Sequence, residues 1–191
     1  MIKNILNLGD AAVYCDFGKD VNQEINTNVI NYFKNIKDKK IEGITNITPS
    51  YNKLIKIPVC CEKDFKLDYD RLEKKLSVTY DKILEIFFSK EYFCYMTGFI
   101  AGMPFLGNVS EKLRVKRLET PRVKVPKGSV GLTEQFCNIY TYESPGGWNI
   151  IGNTPLEIFN KENRSEPALI NPGDKVKFNK ITKEEYDKIK R

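Results

Sequence analysis

RVKVPKGSVGLTEQFCNIYTYESPGGWNIIG, running from Arg122 to Gly152, decides the fold. Its apolar runs are short, and Gly, Pro, Asn or Ser interrupts each before a helix could form. Arg122–Pro126, Ser129–Thr133, Cys137–Tyr142 and Trp148–Gly152 therefore read as strands joined by turns. The same texture extends outward to Met96–Gly107 on one side and to Leu156–Phe159 and Lys175–Phe178 on the other. Such a series of short strands predicts a closed or nearly closed antiparallel barrel. Asn171-Pro-Gly-Asp174 is a turn, with Pro presetting one φ and Gly supplying a positive one. From Thr182 the tail reads as a capped helix, Thr182 and Glu185 having capping-box spacing.

Before residue 90 the pattern is different. Ala11–Phe17 reads as a strand, and Val21, Ile25, Val29, Phe33 and Ile36 recur at helical spacing. Ile44–Thr48 and Leu54–Val59 are strands bracketed by Pro49 and Pro58, with Pro58 expected at an edge or strand end. Helices over about Asp68–Leu76 and Thr79–Phe88 follow, each with an apolar stripe. The fold class expected is an α+β N-terminal domain over 1–90, followed by an all-β barrel domain over 91–191.

Composition excludes several chemistries. The 191 residues include no His, so Ser-His and Cys-His pairs, an imidazole base and His-liganded zinc are all ruled out. Carboxylates, Lys, Arg, hydroxyls, thiols and backbone amides remain, and no metal site is expected. The five Cys are scattered, with no C-x-x-C, which fits free thiols in a reducing compartment. Asp10 interrupts the apolar run Ile5–Leu8, and the uncharged stretch Phe93–Val109 is too short to span a bilayer. A cytoplasmic protein without a membrane segment is expected. The net charge of +6 comes from Lys interleaved with acids, the pattern of a solvated surface, and no nucleic-acid module is visible. Arg114-Val-Lys-Arg117 begins the one denser basic segment.

Three local sequences bear on chemistry. Gly102-Met-Pro-Phe-Leu-Gly107 has the glycine spacing of a phosphate loop, but Asn108 and Val109 stand where Lys and Ser or Thr would be needed, so a Gly-rich turn is expected. Glu143-Ser-Pro-Gly146-Gly147-Trp148 reads either as a tight turn with a core Trp or as a ligand-binding rim. On a strand, Arg122 and Lys124 share one face; they could hold a carboxylate or phosphate with Lys127 and the Gly128–Ser129 amides, or form an outward charged edge.

Tyr95-Met-Thr-Gly-Phe-Ile-Ala-Gly-Met-Pro-Phe-Leu-Gly107, Thr120-Pro-Arg-Val-Lys-Val-Pro-Lys-Gly-Ser-Val-Gly131 and Ile139-Tyr-Thr-Tyr-Glu-Ser-Pro-Gly-Gly-Trp-Asn-Ile-Ile-Gly-Asn-Thr-Pro155 together resemble three successive signatures of the KipI family. Its members are also known as allophanate hydrolase subunit 1 or as a 5-oxoprolinase subunit, and they correspond to half of the carboxyltransferase region of urea carboxylases. The resemblance implies a cyclophilin-like barrel after an α+β domain. It implies a subunit, not active alone, of an ATP-dependent 5-oxoprolinase or allophanate hydrolase-like complex. ATP would be bound by the complex. The partners implied are a KipA-like second 5-oxoprolinase subunit and a LamB/YcsF-like amidohydrolase subunit. Arg122 and Glu143 are the expected catalytic groups, with Lys124, Lys127, Gly128, Ser129, Gly146, Gly147 and Trp148 around the substrate or anion. The alternative implied is a KipI-like regulator that inhibits a sporulation histidine kinase by direct binding, without catalysis. Departures are also visible: Ile86-Phe87-Phe88 replaces an I-H-T segment, and Glu134-Gln-Phe-Cys-Asn138 replaces G-G-Q-T-G.

Overall fold

The computed structural model describes residues 4–8, 12–16, 23–25, 27, 28, 31 and 53–190. The chain divides into two compact units, Met1–Tyr51 and Asn52–Arg191. In the first, β1 (Asn4–Leu8) and β2 (Ala12–Asp16) form an antiparallel hairpin, and helical residues occur at 23–25, 27, 28 and 31. The expected strand Ile44–Thr48 lies outside the described residues, as does much of the expected helix before it.

The second unit is built on a closed seven-stranded barrel. Its strands are β3 (Leu54–Cys60), β4 (Glu91–Thr97), β5 (Pro104–Gly107), β7 (Ser129–Thr133), β8 (Phe136–Ile139), β10 (Asn149–Asn153) and β11 (Lys175–Ile181), in the order β10-β3-β11-β4-β5-β8-β7. All neighbours are antiparallel except β3 and β11, which run parallel from Leu54↔Lys175 to Cys60↔Ile181. β6 (Arg122–Val125) and β9 (Ser144–Gly146) stand apart as a two-stranded ribbon.

Strand membership thus differs from the sequence reading in several places, among them Ser144–Gly146, expected in a turn or rim and found as a strand. Met96–Gly107 is a hairpin, because Gly98 and Gly102 break it into β4, a turn and β5. Arg122–Val125 pairs with β9 in the ribbon, and Leu156–Phe159 forms only an isolated bridge, Phe159↔Ala168. β3 completes the barrel from before residue 90, so the compact division falls after Tyr51. Pro58 is inside β3, but there β10 touches that strand only at Asn153↔Cys60, and a missing N–H costs little at so sparse a seam.

Helices α1 (Tyr69–Leu76) and α2 (Tyr80–Ser89) lie where their apolar stripes predict. Thr79 caps α2 by accepting from the Lys82 N–H. Ile83, Leu84 and Phe87 sink into the same core as Ile57, Val59, Leu106, Ile139 and Phe178. Phe87 stacks on Phe178 at 4.9 Å and lies against Tyr92 at 5.1 Å. Phe87 is fully enclosed among aromatic rings. Helix α3 (Lys183–Lys190) starts with the expected reciprocal cap: the Thr182 N–H donates to Glu185 and the Glu185 N–H to the Thr182 hydroxyl. No helix among the described residues is long and apolar enough to cross a membrane.

A second, smaller apolar layer lies beside this core. Residues alternate along β8, so that Cys137 and Ile139 join the main core while Tyr140, just past the strand, packs with Met103, Val125 and Ile150. Val125 brings the ribbon into this layer.

Cys60, Cys61, Cys94 and Cys137 are free and buried. Burial pushes the Cys61 thiol from its ordinary 9.0 up to about 12, and raises Cys94 and Cys137 as well. A thiol must ionise to react, so in native protein at neutral pH these four should resist a thiol reagent and react together on unfolding. Folded pKa values above the unfolded ones mean that the native state holds these protons longer. Stability should therefore be intact below about 9 and fall as pH rises toward the folded values, readable as a declining Tm.

Candidate functional site

The site is organised around a carboxylate that comes from outside the three motifs. Asp68, 6% exposed, stands at the start of α1 but makes no side-chain cap to its own helix. Its Oδ2 accepts from the Ile150 N–H at 2.6 Å, and its own N–H donates back to the Ile150 carbonyl at 3.2 Å. Its Oδ1 accepts from Arg122 Nη2 at 2.5 Å. One buried carboxylate thus joins α1, β10 and the ribbon. Arg122, expected to meet a ligand directly, spends one arm of its guanidinium on this ion pair. Its Nη1 is buried with no hydrogen-bond partner among the described residues.

The other expected residues fall into separate groups. Lys124 and Glu143 pair at 3.0 Å across the exposed side of the ribbon. Lys127 pairs with Glu157 at 3.0 Å, away from them. Gly128 and Ser129 do not offer amides to an anion: the Gly128 N–H donates to the Tyr140 carbonyl and the Ser129 N–H to that of Pro126. Gly128 has φ +82°, and a Cβ there would lie 2.4 Å from the Thr154 carbonyl oxygen, so glycine is required for the turn itself. Trp148 is 8% exposed and meets the ring of Phe105 edge-on at 5.6 Å, which makes it a packed residue.

Gly146 and Gly147 lie beside Tyr140, Arg117 and the Arg122 strand. A Cβ on Gly146 would fall 2.1 Å from the Tyr140 hydroxyl, so that phenol sits directly against the glycine backbone. Burial raises the Tyr140 pKa. Hydrogen bonds to Asn138 and the Trp148 backbone, and the charges of Arg117 and Arg122, oppose the rise. Nearby in the chain, Ser144 Oγ is buried without a partner, and so is Asn138 Oδ1. Unsatisfied polar atoms are uncommon in a packed layer, and here they occur around one tyrosine and one arginine.

Sequence reasoning missed Asp68 and Arg71, which lie far from the motifs and carry no local signal. Arg71 reaches Asn149 Oδ1 with Nε at 2.9 Å and the Arg117 carbonyl with Nη2 at 3.3 Å. Arg117 and Tyr140 were visible, one in the basic segment and one in the third signature, but nothing in the spacing joined them.

Elsewhere, a cleft of about 560 Å³ lies between the loop after β3, α2 and the start of α3, with Lys63, Lys66 and Lys180 among its lining residues. Lys66 Nζ stands 4.5 Å from the centre of the Tyr69 ring. Among the described residues no group of three or more His, Cys, Asp or Glu could hold a metal ion. The Gly102–Gly107 turn is not a phosphate cradle, because a Cβ on Gly102 would strike Phe159 and one on Gly107 would strike Tyr95.

Asp68→Ala leaves the Ile150 amide and Arg122 unpaired and should cost about 2–3 kcal/mol in denaturant unfolding. In a double-mutant cycle with Arg122→Ala, the double variant should cost less than the sum of the two single ones, because each single change already breaks the pair. Gly146→Ala should cost about 1–3 kcal/mol through the clash with Tyr140, whereas Gly147→Ala, meeting only ordinary contacts, should be nearly neutral in Tm.

Known proteins resemble the chain to different extents. The chain is 34% identical over 161 residues to a 5-oxoprolinase subunit of Bacillus subtilis, the match covering 83% of this chain and 67% of that protein. It is 40% identical over 124 residues to the corresponding 5-oxoprolinase subunit of Haemophilus influenzae, covering 65% of this chain and 58% of that one. Among solved structures, a conserved uncharacterized protein of Pyrococcus horikoshii superposes with a TM-score of 0.67 at 31% identity, over 96% of this chain and 100% of that one. Kluyveromyces lactis urea carboxylase has the same fold, with a TM-score of 0.64 at 18% identity over 92% of this chain and 17% of that one. The family model for carboxyltransferase domain, subdomain C and D, matches residues 3–55 and 52–170, and the chain belongs to that family.

Proposed function

We propose that the chain is a subunit of an ATP-dependent cyclic-amide hydrolase, a 5-oxoprolinase, working with a KipA-like second subunit and a LamB/YcsF-like amidohydrolase subunit in the cytoplasm. The observation that carries this reading is the likeness to proteins named as 5-oxoprolinase subunits, at 34% identity over 83% of the chain in one case and 40% over 65% in another. A protein named as one subunit of an enzyme has companions, and the exposed ion pair on the ribbon suits a role beside them. We read the barrel as the cyclophilin-like domain of that family.

The chemistry fits the charge found at the site. Opening a lactam by activating its amide oxygen develops negative charge, which fixed cations and hydrogen-bond donors stabilise. Arg117 and Arg122 both act on the Tyr140 hydroxyl beside Gly146. Arg122, held by Asp68, serves there as a positioning residue. Glu143 and Lys124, exposed and paired, face outward from the ribbon, where a neighbouring subunit could engage them. ATP enters as a co-substrate of the complex, and the turn at Gly102–Gly107 supplies no cradle for its phosphates.

Reconstitution with the two companion subunits is the test. 5-Oxoproline-dependent phosphate release should require this chain, and Glu143→Gln should lower it by about 100-fold or more if that carboxylate moves a proton in the reaction. An unchanged rate without the chain would overturn the reading and leave the kinase-inhibitor alternative, which autophosphorylation in its presence would then decide.

A further inference from the structure

We propose that Arg117 binds the carboxylate of a small amide-bearing ligand, over the backbone of the Gly146–Gly147–Trp148 turn. The proposal deepens the reading above, on which it relies for the identity of that ligand.

The first support is the mount on which Arg117 stands. Three consecutive residues are pinned by their backbones: the Lys116 carbonyl accepts from Asn149 Nδ2 at 3.1 Å, the Arg117 carbonyl from Arg71 Nη2 at 3.3 Å, and the Leu118 N–H donates to the Gly147 carbonyl at 2.7 Å. The segment belongs to no strand or helix, yet hydrogen bonds hold its backbone to α1, to Asn149 and to Gly147. Its side chain is free. Arg117 is exposed, and its guanidinium has neither an ion pair nor a hydrogen bond among the described residues. Fixing the backbone while leaving the guanidinium unpaired preorganises a cation for something that is not part of the fold.

Charge provides the second support. Arg71, Arg117 and Arg122 gather around this turn, and Asp68 is the one carboxylate paired with any of them among the described residues. The local excess is positive, and a planar carboxylate matches the two-pronged donor face of a guanidinium. The third support is close approach: a Cβ on Gly147 would lie 3.5 Å from Arg117 Nε and 3.6 Å from the Pro121 ring, so the guanidinium lies over a backbone that carries no side chain beneath it. Ser144 Oγ and Asn138 Oδ1 are buried polar atoms without a hydrogen-bond partner among the described residues.

The protein carries its own reporter, because Trp148 is its single tryptophan and follows Gly147 directly. Titrating the full chain with 5-oxoproline while following Trp148 emission should give saturable binding. Arg117→Ala should weaken it about tenfold or more without lowering Tm, and Arg117→Lys should fall between, since an ammonium keeps the charge and loses the fork. Gly147→Ala should weaken binding by placing a methyl group beneath the guanidinium. Lys66→Ala, in the separate cleft, should bind as wild type. 2-Pyrrolidinone, which has the lactam and no carboxylate, should bind at least about tenfold more weakly than 5-oxoproline.

No binding by the isolated chain, equal binding of 2-pyrrolidinone, inorganic phosphate binding as tightly with the same dependence on Arg117, or unchanged affinity in Arg117→Ala would each overturn the proposal. The two readings fail separately. A complex whose turnover ignores this chain overturns the subunit assignment and leaves Arg117-dependent binding intact. A complex that needs the chain, while Arg117→Ala binds normally, overturns the inference made here.

Discussion

The buried carboxylate of Asp68 is the contact on which the rest of the site depends. Its two oxygens serve a backbone amide of β10 and a guanidinium of the ribbon, so helix, barrel wall and ribbon take their spacing from one side chain. Removing a charge from water is costly unless each lone pair finds a donor, and here the donors belong to different elements. The consequence is geometric. Since Asp68 can satisfy its partners only when all three elements are seated, the ribbon is held over the second apolar layer even though only two register pairs join its strands. Arg71, one turn along the same helix, extends that control to the backbone of Arg117.

Much of the fold was legible because it rests on local signals. The capping box at Thr182, the turn at Asn171–Asp174, the two helices and most strands are set by residues within a few positions of each other. What the sequence could not show was partnership. β6 looks like its neighbours in composition, yet it pairs with β9 in a separate ribbon, and β3 enters the barrel through a parallel pairing with a strand more than a hundred residues later. Alternation says which face is apolar and nothing about which strand lies alongside.

The site divides in the same way. The segment Glu143–Trp148 stood out because consecutive glycines beside tryptophan are unusual; the structure makes Ser144–Gly146 a strand of the ribbon and sets its glycines against Tyr140 and Arg117. Individual roles were read less well. Ser129 and Gly128 looked like anion donors only until their amides were seen to be spent on the barrel, and Arg122 looked free until Asp68 was found beside it. Whether a polar group is available for a ligand depends on what the rest of the fold has already claimed from it. Arg117 carries the opposite lesson: its surroundings claim the main chain and leave the side chain alone.

The parallel pair of β3 and β11 has a consequence for how the molecule is made. The Lys53 amide bonds to the Asp174 carboxylate across 121 residues of chain, and both barrel neighbours of β3, β10 and β11, come from the later part of the sequence. During synthesis β3 therefore leaves the ribosome long before either strand it will pair with. Ile57 and Val59, wholly enclosed in the finished barrel, must wait in the nascent chain as exposed apolar side chains on an unpaired strand. Closure waits for β11 to emerge, and a prematurely terminated chain lacking that strand would present a sticky edge in place of a barrel.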